Sequence, residues 1–160
     1  MSQTIVLIAA GVALLMLVRI AWLDFLTLKI RNIDVLVLSG VTLLMVALTL
    51  PSPGLVDLAA GALLFVLGVV FWSLGMTGAG DAKLLFPLGI MVGFDGLATF
   101  ALLLMPVSLL VLVLFIAARL ILPEDGRLRR RLAEIKATKG IPYAVPLFLA
   151  AFGAMLPRFL

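Results

Sequence analysis

Six aspartates and two glutamates carry most of the chemistry open to this sequence, because its 160 residues include no histidine and no cysteine. That composition excludes serine–histidine and thiol nucleophiles, disulfides, zinc ribbons and most transition-metal sites. Glu124, Asp125 and Glu134 fall in a basic, polar stretch and read as solvated. Asp95, in Phe94-Asp95-Gly96, reads as a turn residue. Asp34 and Asp57 open apolar runs, where the positive end of a helix dipole favours a carboxylate, and Asn32 is the expected N-cap ahead of Asp34. Asp24 and Asp81 stand apart, since a carboxylate beside a long apolar run costs several kcal/mol unless paired or hydrated. Two such acids at one depth can share a proton and hold a water, one acting as base and the other as acid on a carbonyl. Depth alone does not say that the two side chains face each other.

The elements that must position them follow from composition. The chain is 65% hydrophobic and 12% charged, whereas soluble domains are about half apolar and about a quarter charged. An aqueous globular domain is thereby excluded. Apolar runs predict helices over 4–23, 33–50, 55–74, 81–94, 97–118 and 141–156, the fourth too short at roughly 21 Å to cross a bilayer squarely. The run after Thr4 is too long for a signal-peptide core and lacks a basic flank. If Arg19 is counted with the first connection, eleven of the twelve basic residues fall in alternate connecting segments, and only Arg158 lies on the other side. The positive-inside rule puts those segments in the cytoplasm. The expected fold is therefore all-α: one polytopic domain over 1–160, six transmembrane helices, and both termini outside the cytoplasm. The same sorting accounts for the pI near 10.1 without nucleic acid.

Glycines mark close approaches. Gly61 and Gly68 lie seven apart on the third helix, and Gly89 and Gly93 form a GxxxG pair on the fourth, spacings that let backbones pack closely in lipid. Pro87 and Pro106 fall inside the fourth and fifth helices. Gly78-Ala79-Gly80 gives a side-chain-poor backbone just before Asp81, open to an extended peptide and permissive of positive φ. Across 119–140, Leu128, Leu132 and Ile135 recur at helical spacing opposite Arg127, Arg130, Arg131 and Lys136. That pattern predicts an amphipathic helix on the anionic lipids of the cytoplasmic leaflet.

Three segments resemble the type IV prepilin peptidases, the GxGD-type aspartic membrane peptidases. Asp24-Phe25-Leu26-Thr27-Leu28-Lys29-Ile30-Arg31-Asn32 is similar to the family's first-aspartate motif, with Arg31 where the family usually has proline. Gly78-Ala79-Gly80-Asp81-Ala82-Lys83-Leu84-Leu85 is similar to its GxGDxKLL motif. Ile141-Pro142-Tyr143-Ala144-Val145-Pro146 resembles the start of its last helix. The resemblance implies an inner-membrane endopeptidase that removes the basic leader of prepilin-like precursors at the cytoplasmic face. By motif it assigns Asp24 and Asp81 as catalytic, supported by Gly78, Gly80 and Lys83, with no metal or cofactor. The short chain and lack of cysteine look like the peptidase-only branch of Flp/Tad-type pilus assembly, without the methyltransferase activity of longer members.

Two expectations concern roles within the site. Asp81 opens a helix and Asp24 closes one, so helix dipoles favour Asp81 as the ionised base and Asp24 as the acid. Lys83, two residues from Asp81, points to another helix face and is expected to snorkel toward the cytoplasm. The competing reading is a non-enzyme, a small proton-coupled transporter or a membrane scaffold, because intramembrane aspartates also relay protons. A serine protease is disfavoured, since Ser39, Ser52, Ser73 and Ser108 have no histidine partner.

Overall fold

A computed structural model describes residues 2–121 and 142–159. Among these residues the chain forms six helices and no strand: α1 (Ser2–Thr27), α2 (Asn32–Leu48), α3 (Gly54–Ser73), α4 (Ala79–Val92), α5 (Leu97–Ile121) and α6 (Ala144–Phe159). Thr4–Thr27, Gly54–Ser73 and Leu97–Ala118 are long and apolar enough to cross a membrane, and Asn32–Leu48 and Ala144–Pro157 are shorter apolar helices. The outer surface fits that character. Leu15, Leu36, Leu102 and Met105 are exposed, the last by 81%, and so large an apolar surface is foreign to a soluble monomer. Of the segment 119–140 expected to form an amphipathic helix, 119–121 continue α5, and 122–140 lie outside the described residues.

Several ends differ from the expected ones for local reasons. α1 continues past Leu23 to Thr27, so Asp24 lies inside the last turn. Thr27 Oγ1 donates to the Leu23 carbonyl at 2.8 Å, and the Leu28 N–H closes the end on the Asp24 carbonyl at 2.7 Å. α6 begins at Ala144 rather than at 141. α3 ends in a Schellman turn, in which Gly75 takes φ +72°, its N–H bonds the Trp72 carbonyl, and the Met76 N–H bonds the Phe71 carbonyl. Gly93, also at φ +72°, terminates α4. It is the helix stop of α4, a role the GxxxG spacing with Gly89 did not suggest.

The short α4 is the centre of the bundle. Leu84, Leu88, Ile90, Met91 and Val92 are all buried, and Leu17, Leu38, Leu147 and Met155 from α1, α2 and α6 join the same core. From Leu84 onward the helix carries no charge on any side, and such a stretch is stable only when enclosed in this way. Its most extensive contact is with α3, through the glycines. A methyl at Gly61 would come within 2.8 Å of the Phe86 carbonyl oxygen, and one at Gly68 within 3.0 Å of Ala82 Cα. A methyl at Gly89 would lie 2.7 Å from both the Ala60 carbonyl oxygen and Gly61 Cα.

Alternation of the helices sorts their connections into two ends. One cavity is walled by the α1–α2 and α3–α4 connections and Tyr143, just before α6. Another is walled by the α2–α3 and α4–α5 turns and Pro157 of α6. Asp57 and Asp95 line the second, as expected for first-turn and turn residues.

Gly89→Val should destabilise the detergent-solubilised protein by about 1–3 kcal/mol, because rigid backbone faces the added atoms. Gly40, in the α2 interior with nothing within 4 Å of an added methyl, gives the contrast: Gly40→Ala should leave stability unchanged or raise it by about 0.5–1 kcal/mol. Thermal melting of the two variants beside the parent checks both.

Candidate active site

Asp24 and Asp81 line the same cavity, a space of about 630 Å³ at one end of the bundle. They arrive from different elements. Asp24 stands in the last turn of α1 and is buried, 5% exposed. Asp81 is the third residue of α4, reached through the Gly75–Gly78 connection.

Each carboxylate is oriented by one backbone N–H. Asp81 Oδ2 accepts from Gly78, the residue that caps α4, at 3.2 Å. Asp24 Oδ2 accepts from Ala144, the first residue of α6, at 3.1 Å in a buried bond. The first N–H groups of a helix have no partner within it, so a side chain of α1 satisfies one of α6. This corrects the expected dipole asymmetry. Asp24 does close α1, but its charged edge meets the N-terminus of α6, and both acids therefore sit at helix starts. Helix ends do not rank them as acid and base.

The glycines of the Gly78-Ala79-Gly80-Asp81 stretch act by leaving room. A methyl at Gly78 would lie 2.9 Å from Asp81 Oδ2, in the space the carboxylate uses to reach the Gly78 N–H. One at Gly80 would lie 2.9 Å from Ile30 Cβ, which belongs to the segment following Asp24. The positive φ expected in this stretch falls instead at Gly75. The α1–α2 connection is thus pressed against the first turn of α4. Leu28, also in the cavity wall, holds φ +53°, a conformation costing a side-chain-bearing residue about 1–2 kcal/mol.

Lys83 faces away from Asp81 as expected, while Asn32 and Arg19 take different places. Lys83 does not line the two-acid cavity; its Nζ donates to Asn32 Oδ1 at 3.1 Å. Asn32 is accordingly no N-cap. Arg31 occupies that position, without a side-chain bond to the helix. Arg19 lies inside α1, roughly 12 Å before its end by helical rise, and forms an ion pair with Asp34 in the first turn of α2. Sequence reading missed that pair because it assigned Arg19 to the connecting segment.

Lys29 and Tyr143 also line the cavity. Lys29 and Tyr143 each stood only within a motif, with no role assigned to either. The contribution of Ala144 is a backbone N–H, which residue type does not reveal. Comparison with protein-family models, curated proteins and solved structures finds no match to this chain.

Arg31 adopts φ −77° and ψ 133°, within the range a proline ring fixes. Its departure from the resembling motif therefore does not demand a different backbone. Arg31→Pro should fold with a stability change of less than about 1 kcal/mol, on the favourable side if the loop is unstrained. Thermal melting checks this, and a loss of several kcal/mol would contradict it.

Proposed function

We propose that the chain is a membrane-embedded aspartic endopeptidase of the short prepilin-peptidase type. It cleaves the leader of a prepilin-like precursor at the cytoplasmic face of the inner membrane. The observation that carries this reading is the meeting of Asp24 and Asp81, 57 positions apart in sequence, in one cavity at the end of an apolar bundle. The GxGDxKLL-like stretch, which opens α4, and the segment that follows Asp24, both of which carry the resemblance, press together there.

In this reading the six helices span the bilayer, with α4 inserted short and enclosed by its neighbours. The end bearing Lys29, Arg31 and the two acids faces the cytoplasm, and both termini lie across the membrane, as the distribution of basic residues favours. The basic stretch 119–140 then meets anionic lipid.

The chemistry is hydrolysis without a covalent intermediate. A water between the carboxylates loses a proton to the ionised one as its oxygen attacks the scissile carbonyl carbon. The protonated partner donates to the carbonyl oxygen. Collapse of the tetrahedral species then breaks the C–N bond, and a proton from the pair passes to the leaving nitrogen. The pair titrates as a unit. Placement of the acids within a few residues of helix ends favours this over a proton-relaying transporter, which needs carboxylates near the membrane midplane.

Co-expression of a leader-bearing pilin precursor with parent, Asp24→Asn, Asp81→Asn and the double variant tests the reading through the precursor's gel mobility. Each single substitution should lower cleavage by at least about 10²-fold, the lower end for loss of acid–base catalysis, with membrane levels unchanged. The double variant should be no worse than either. Cleavage at the parental rate in either single variant contradicts the proposal.

A further inference from the structure

The two-acid cavity is held together from its far side as well. Lys83 follows Asp81 by two residues, about 200° around α4 at about 100° per residue, so it projects away from the cavity. There its Nζ donates to Asn32 Oδ1, the first residue of α2, at 3.1 Å. Asn32 ends the short connection that begins just after Asp24 and α1. On the cavity side the same connection touches α4 again, where Ile30 occupies the space left by Gly80. Gly80 and Lys83, three residues apart, are neighbours on the helix surface, so the segment that follows Asp24 holds the first turn of α4 at two adjacent points, one beside the cavity and one turned away from it.

Resting on the peptidase reading, we infer that Lys83 is a positioning residue for the acid pair: its hydrogen bond to Asn32 fixes the rotation of the first turn of α4, and with it the approach of Asp81 to Asp24. Neither Lys83 nor Asn32 lines the cavity, so neither contacts the reacting atoms. The leverage is geometric. A displacement of about 1 Å in a reacting constellation can cost about 10²-fold in rate, whereas this hydrogen bond is exposed, and water competing for both groups leaves it little weight in folding stability. Loss of the bond should register in turnover before it registers in melting.

The test compares parent, Lys83→Met, Lys83→Arg, Asn32→Ala and the Lys83→Met/Asn32→Ala double variant, purified in detergent and assayed on a leader-bearing precursor. Lys83→Met and Asn32→Ala should each lower kcat about tenfold, with KM within about twofold of parental and melting temperature unchanged. Lys83→Arg, whose guanidinium can donate to the same oxygen, should retain most of the turnover. The double variant should be no slower than the worse single one, because both remove the same bond. Parental turnover in Lys83→Met overturns the inference, as do multiplying losses in the double variant, failure of Lys83→Arg to rescue, a change confined to KM, or a loss that follows melting temperature. Those results leave the peptidase reading standing if Asp81→Asn is inactive and the parent cleaves. An inactive parent, or an active Asp81→Asn, removes both.

Discussion

A carboxylate carried on an apolar helix has to find a hydrogen-bond donor or water, and much of this structure answers that demand twice at one end of the bundle. Asp24 meets the Ala144 N–H at the start of α6, and Asp81 meets the Gly78 N–H at the start of α4. In both cases an otherwise unpaired donor of a helix N-terminus satisfies an acid. The arrangement fixes more than two side chains. It ties the end of α1 to α6 and sets where α4 begins, and the space between the acids becomes a cavity walled by the α1–α2 and α3–α4 connections.

The bundle around that end explains how a short helix can occupy its centre. Beyond Asp81 and Lys83 in its first turn, α4 is apolar and packs against α2, α3 and α6, so it does not need the length of a helix that meets lipid. The glycines at 61, 68 and 89 bring its backbone close to that of α3. Close backbone packing of this kind resists rotation. Rotation of α4 is the motion that would separate Asp81 from Asp24. Packing along the helix and the Lys83–Asn32 bond at its first turn thus act on the same coordinate.

Much of this was legible in the residues. Runs of apolar residues located all six helices to within a few positions, because helix length in an apolar chain is punctuated strongly by glycine, proline and charge. Asp24 and Asp81 stood out because charge beside such runs is costly. Their convergence was not legible, since hydropathy gives depth and not rotation about a helix axis. Three further features were hidden for definite reasons. The donor to Asp24 is a backbone group 120 residues away. Asn32 reads as a cap by residue type, yet its side chain is drawn to Lys83 across 51 positions. Arg19 reads as a loop cation, although α1 carries it inside the helix opposite Asp34. In each case a long-range partner overrode a preference that local sequence expresses correctly in isolation.

The absence of cysteine makes the central claim, the convergence of the two acids, directly measurable in membranes. Asp24→Cys and Asp81→Cys combined in one chain should be joined efficiently by a short bifunctional thiol reagent. A chain combining Asp24→Cys with Asp95→Cys, at opposite ends of the bundle, should not. Protease digestion followed by mass spectrometry reads the cross-link directly. Efficient joining of the first pair alone is the result expected here; equal joining of both pairs, or none in the first, would contradict a shared cavity for Asp24 and Asp81.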